Sequence, residues 1–201
     1  MLHLAPTAIV DGRGRHIGKW RCPLPRGQIL PKELLIERLL VQNFVSVPAP
    51  IFRRDAWLAC GGMDDELWYT PDWDIWLKLA AAGPVVYDED YTTGFRVHGS
   101  SLTITGSRDG HEFRSQMEIV LDRHLGRIPM NIRTRVERAA RASINVNVSL
   151  AAASAGTLNT LPRAAANVLS LGPRGMKRYL RDSRLWERLM PRLRSRISGD
   201  F

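Results

Sequence analysis

The sequence has little with which to cross-link itself or to span a lipid bilayer. Its 201 residues include two cysteines, Cys22 and Cys60, too few and too far apart for a disulfide framework or a zinc site. A reducing cytosol is therefore the expected compartment. No apolar run approaches the ~18 residues of a membrane span. The opening stretch MLHLAPTAIVDG has no basic segment ahead of its apolar residues, which makes it a poor signal peptide. Acidic residues are scarce in one half only. Residues 108–201 carry 8 Asp+Glu against 18 Lys+Arg, whereas residues 1–107 carry 12 against 11. The overall charge of +9 therefore belongs almost entirely to the second half, and the two halves are expected to face different partners.

The remaining composition is that of a globular protein, with 44% hydrophobic and 24% charged residues. TAIVDGRGRHIGKW reads as a hairpin of two strands around a Gly-punctuated turn. LPKELLIERLLVQNF reads as a helix with Pro31 near its first turn, where a missing N–H costs nothing. VPAPIFRR reads as extended, because a residue before proline is pushed out of the α region. RRDAWLACGG is a short helix stopped at Gly61 and Gly62. The clearest helix runs from Asp72, a candidate N-cap, to Ala82, with Trp73, Trp76, Leu77 and Ala80 on one face. PVVY and YTTGFRVH follow as strands, and from Asp109 onward only helix signals occur. This order predicts an α/β domain over 1–107 and a basic helical tail over 108–201. Within the tail, two Ala-rich helices parted at Gly156 predict a helical hairpin.

The stretch GGMDDELWYTPDWDIWLKLAAAG concentrates the chemistry. Asp72 and Asp74 flank Trp73 where a loop enters a helix. An anionic carboxylate is stabilised there by free N–H groups and the helix dipole, and it can serve as a general base. An indole beside it offers a flat face for a sugar ring, and the glycine pair allows close backbone approach to a ligand. The plain alternative is a stabilising helix cap beside a core tryptophan. His3, His16, His111 and His124 have no partner spacing and read as solvated; both cysteines read as unreactive.

Five elements in order extend this reading: Arg53-Arg54, Gly61-Gly62-Met63-Asp64-Asp65-Glu66, Asp72-Trp73-Asp74-Ile75-Trp76-Leu77, Gly83 to Tyr87, and Phe95-Arg96-Val97-His98. Together with the VDGRGRHIG hairpin, the stretch over roughly residues 8–105 resembles the acceptor-side half of family 2 glycosyltransferases of the GT-A fold. The resemblance implies a partial GT-A domain lacking its N-terminal nucleotide-binding half. It implies inverting transfer from a nucleotide-sugar donor to a glycan or lipid-linked acceptor, in glycan, polysaccharide or envelope synthesis. Asp72 matches the catalytic base; Gly62, Asp64, Trp73 and Asp74 match the acceptor side. Arg96 lies where it can support the leaving diphosphate or brace the loop. His98 matches a residue that approaches the metal, a divalent Mg or Mn whose other ligands are expected in a half preceding Met1. Pro71 departs from the family, which has Glu at that place.

The basic stretch Arg163–Arg196 carries 10 Lys+Arg against 2 acids, interleaved with Trp186, Leu189 and Met190. That pattern predicts peripheral contact with an anionic membrane, at its cytoplasmic face; no groove-reading motif points to nucleic acid. The alternative to an enzyme is a non-catalytic glycan-binding or membrane-tethering domain.

Overall fold

The structure, a computed structural model, describes residues 1–97, 109–187 and 189–191. Strand β1, Leu2–Leu4, turns Leu2 and Leu4 into the core and His3 to the other face, as period-2 alternation requires. It pairs in parallel with β6 (Val85–Tyr87) and antiparallel with β5 (Ile51–Phe52); β4 (Ile29–Leu30) joins the far side of β6. After Ala5 and Pro6 the chain continues as β2, Thr7–Val10, the centre of a second sheet. There β3 (His16–Trp20) is its antiparallel hairpin partner, with a bulge between Ile9 and Val10, and β7 (Thr93–Arg96) its parallel one. The β1–β6 and β2–β7 pairs are thus two runs of one parallel pairing. Proline, which has no N–H to give to a ladder, falls between the runs.

A parallel pair needs a crossover, and helices supply it. They are α1 (Lys32–Val41), α2 (Arg54–Ala59) and α3 (Pro71–Ala82). Helix α1 buries Leu35, Ile36, Leu39 and Leu40. The expected cap of α3 shifts by two residues. Thr70 occupies the N-cap and Pro71 the first helical position, where its fixed φ and absent N–H suit the helix. Asp72 is therefore an acid of the first turn rather than the cap. The Thr70 hydroxyl does not cap; it donates to the Gln116 carbonyl at 3.2 Å.

The second half is helical, as its pattern predicts: α4 (Gly110–Leu125), α5 (Met130–Ser154), α6 (Leu161–Leu169) and α7 (Gly172–Ser183). Asp109 caps α4 by accepting from the His111 and Glu112 N–H groups at 2.9 and 3.1 Å. Helices α5 and α6 pack as the predicted hairpin around Gly156, whose φ is +93°. With about 54% helix and two small mixed sheets, the fold is mixed α/β.

The helical half shares the core of the first. Phe113, Met117, Val120, Leu121, Val136, Ile144 and Tyr179 belong to one apolar cluster with Leu2, Leu39, Phe44 and Trp76. Helix α1 packs against α3, α4, α5 and α7. Ion pairs fasten the rim: Glu37 accepts from Arg135 at 2.9 Å and Arg178 at 3.3 Å, and Arg21 meets Glu187 at 2.7 Å.

Beyond α7 the chain turns at Arg184, whose φ is +48°, and helical residues at 185–187 and 189–191 bring Pro191 onto the hairpin. A Cβ at Gly18 would stand 2.5 Å from the Pro191 ring. Gly18→Ala should therefore displace Pro191 from the hairpin and lower stability by about 1–3 kcal/mol, the usual range for overpacking. Hydrogen exchange and urea denaturation check this; an unaltered midpoint with protected 185–187 amides would show that the contact does not form.

Candidate functional site

Asp72 stands half-buried in the first turn of α3. Its Oδ1 accepts from the Trp73 N–H at 2.8 Å, and its Oδ2 from the Asn43 side-chain amide at 3.0 Å. Burial raises its pKa, and the bonds from Asn43 and the Trp73 N–H offset part of that rise. The result is a carboxylate that holds a proton more tightly than an ordinary aspartate, with lone pairs still open.

Asp74, two residues on, has the opposite environment. It is 0% exposed. Its Oδ1 lies 2.7 Å from His124 Nε2 and 3.0 Å from Arg123, and its Oδ2 lies 2.7 Å from Lys78. Burial works to raise its pKa, but the donors His124, Lys78 and Arg123 outweigh it and hold the carboxyl well below the usual range. Arg127 donates to His124 Nδ1 at 2.9 Å, so Nε2 carries the proton given to Asp74. Asp74 joins α3 to α4 and presents nothing to an acceptor, contrary to its expected place on the acceptor side. His124 is a buried member of this cluster, not the solvated side chain its sequence context predicts. His3 is also engaged, with Asp88 at 2.6 Å.

Trp73 takes the core alternative. It is 4% exposed, and its indole N–H donates to the Leu39 carbonyl at 2.8 Å. No sugar can stack on it in this arrangement. The exposed indole of the loop is Trp68, 38% exposed, whose Nε1 donates to Glu112 at 2.5 Å. It falls outside the helical period that singles out Trp73, so the pattern gives it no weight. Gln116 pins the same loop, donating to the Glu66 carbonyl at 3.2 Å and accepting from the Tyr69 N–H at 3.4 Å. A lone Gln on an amphipathic helix carries no sequence signal for that contact.

The remaining expected residues lie around this frame. Asp64 accepts from Arg123 at 2.7 Å and from the Glu66 N–H at 3.0 Å; these bonds hold its pKa below the usual carboxylate range. Arg123 thereby bridges Asp64 and Asp74. Gly62 has φ +67°, and a Cβ there would lie 3.1 Å from Trp57 Nε1, so both backbone and space favour glycine. Arg96 donates to the Asp11 and Gly12 carbonyls at 3.1 and 2.9 Å and so braces the β2–β3 turn. His98 lies outside the described residues. Cys22 is buried, which pushes its thiol pKa up and leaves it unreactive.

Among the described residues no group of three or more His, Cys, Asp or Glu side chains could hold a metal ion. They do not by themselves fit the divalent cation that the resemblance implies. Comparison with protein-family models, with curated proteins and with solved structures gives no match. The chemistry of the site therefore rests on its own geometry.

The Asp74 cluster makes a stability prediction. A carboxyl with a depressed folded-state pKa contributes stability above its unfolded value, about 3.9, and loses it as pH falls below that. Asp74→Asn takes the anion from His124, Lys78 and Arg123, the last of which keeps Asp64, and should cost about 1–3 kcal/mol at neutral pH. Urea denaturation from pH 7 to pH 2 should also show a shallower acid loss in the variant than in the native chain. Equal stability at pH 7 would remove Asp74 as the tie between α3 and α4.

Proposed function

We propose that this chain supplies the acceptor side of an inverting glycosyltransferase of the GT-A type, with Asp72 as the general base. Asp72 would take the proton from an acceptor hydroxyl while that oxygen attacks the anomeric carbon of a nucleotide-diphosphate sugar and the nucleoside diphosphate leaves. The observation that carries the reading is the environment of Asp72: a carboxylate at a loop-to-helix junction, desolvated enough to be basic, yet held by two neutral donors. Positively charged partners would have kept it an anion too weak to accept a proton near neutral pH. The Gly61–Gly62 turn before it and the exposed Trp68 between them suit an acceptor of sugar type. Donor-binding elements would come from outside these residues.

A test is the transfer rate from a panel of nucleotide-diphosphate sugars, measured in the protein that carries its donor-binding half. Asp72→Asn should lower kcat by about 10²–10⁴-fold, the usual contribution of a general base. The same variant should not lose stability. A group whose folded pKa is raised contributes stability that is present below its unfolded value and lost as pH rises through the folded one. At pH 7 the anion is therefore a cost, and Asn removes it, so the melting temperature of the variant should equal or exceed that of the native chain. A variant that keeps turnover within about threefold of native, well short of a base's share, would sink the assignment.

A second reading concerns the basic helices, and exposed apolar side chains favour it. Trp186 is 66% exposed, and Leu169 and Met190 also face outward beside Arg-rich segments. No helix among the described residues is long and apolar enough to cross a membrane. Residues 163–196 would instead rest on an anionic lipid surface, tethering the protein near a lipid-linked acceptor. Phosphatidylserine vesicles should shift Trp fluorescence to the blue, phosphatidylcholine vesicles should not, and Trp186→Ala should weaken the binding severalfold. Equal affinity for the two lipids would exclude the tether.

A further inference from the structure

We propose that Asn43 is the positioning residue of Asp72, and that the long helix α5 sets Asn43 through Gln42. This inference rests on the reading of Asp72 as the base. The chain of contacts is short and every member is fixed at both ends. Gln42 is the C-cap of α1, and its backbone N–H donates to the Arg38 carbonyl at 3.1 Å. Its buried side-chain oxygen accepts from Ser143 at 2.9 Å and from Asn147 at 3.1 Å, both on α5. Its side-chain nitrogen donates to the Asn43 carbonyl at 3.3 Å. The Asn43 side-chain oxygen accepts from the Val45 N–H at 3.3 Å. That bond decides which end of the amide faces α3, so the nitrogen, not the oxygen, meets Asp72 Oδ2 at 3.0 Å.

The choice of an amide has a chemical consequence. Asp72 and Asp74 lie in one helical turn and need opposite treatment. Asp74 is surrounded by Lys78, Arg123 and His124 and stays an anion with no tendency to take a proton. Asp72 receives a neutral donor, which orients the carboxylate and leaves its basicity largely intact. The charged side chains of its own helix, Asp74 and Lys78, are occupied with each other and, for Asp74, with α4. Helix α5 therefore acts on Asp72 at a distance, through Ser143 and Asn147.

The titration of the Asp72 carboxyl tests this in the 201-residue chain, independently of turnover. The Asp72 carboxyl ¹³C resonance, identified by its loss in Asp72→Asn, is followed against pH. Asn43→Ala removes a donor to the anion and should move the midpoint up by about half a unit or more. Asn43→Asp keeps the shape of the side chain and reverses the polarity, and it should move the midpoint further up. Gln42→Ala should move it in the same direction by less. Where transfer activity is measured together with a donor-binding half, Asn43→Ala should lower kcat with little change in KM and shift the acid limb of the pH profile upward with the midpoint. An unchanged midpoint in both Asn43 variants overturns the proposal, whether or not Asp72→Asn is inactive. An unchanged midpoint in Gln42→Ala removes the part played by α5. A shifted midpoint alongside a fully active Asp72→Asn sustains the positioning contact and removes the base reading instead.

Discussion

Asp74 is out of reach of water, and its negative charge has to be answered inside the protein. Three nitrogen-bearing side chains do so, one from its own helix and two from α4. An anion taken out of water without such partners would cost several kcal/mol, so α3 has one acceptable rotation about its axis. Everything else on that helix follows from this rotation. Residues two apart in a helix point about 200° apart, so turning Asp74 toward α4 turns Asp72 toward the end of α1. Trp73, between them, is carried into the core, where its indole N–H finds the Leu39 carbonyl.

The same constraint links the two halves of the chain. Helix α4 supplies the Arg123 guanidinium and the His124 N–H that fix α3, while α5 supplies the hydroxyl and amide that hold Gln42. Apolar packing of α1 against both halves brings these groups into range. Burial gives the association its strength, at roughly 25 cal/mol for each Å² of apolar surface removed from water. The polar contacts give it a register. The basic half thus has a buried face that belongs to the core and an outer face that keeps its described Arg and Lys side chains out of the core.

Much of this was legible in the residues. The hairpin at Thr7–Trp20, the helix from Lys32, the body though not the cap of the helix read as Asp72 to Ala82, and the helical character of the chain after Asp109 follow from periodicity and from Gly and Pro punctuation. The glycine pair at 61–62 marked its turn, because left-handed backbone has few other occupants. What escaped were contacts between distant residues. Nothing near His124 announces that its partner stands fifty residues earlier, and its helical neighbours look solvated. Trp73 and Trp68 have the same side chain, and only the fold decides which of them faces water. Asn43 lies just past a helix end, a place where Asn is common for local reasons, so its bond to Asp72 was hidden.

The tandem strand pairing has a consequence for how the chain is made. Strand β1 begins at Leu2, yet its ladder partners start at Ile51 and Val85, and β2 waits for β7 at Thr93. During synthesis β1 leaves the ribosome with neither side claimed, and β2 with only its hairpin side claimed by β3. The hairpin can close early on local contacts, but the parallel pairs must wait until β6 and β7 have emerged. The apolar faces of Leu2, Leu4 and Ile9 stay without their final cover over that interval. Strands β1 and β2 are thus made well before the strands that complete their sheets, and their apolar faces are a segment that a chaperone can shelter.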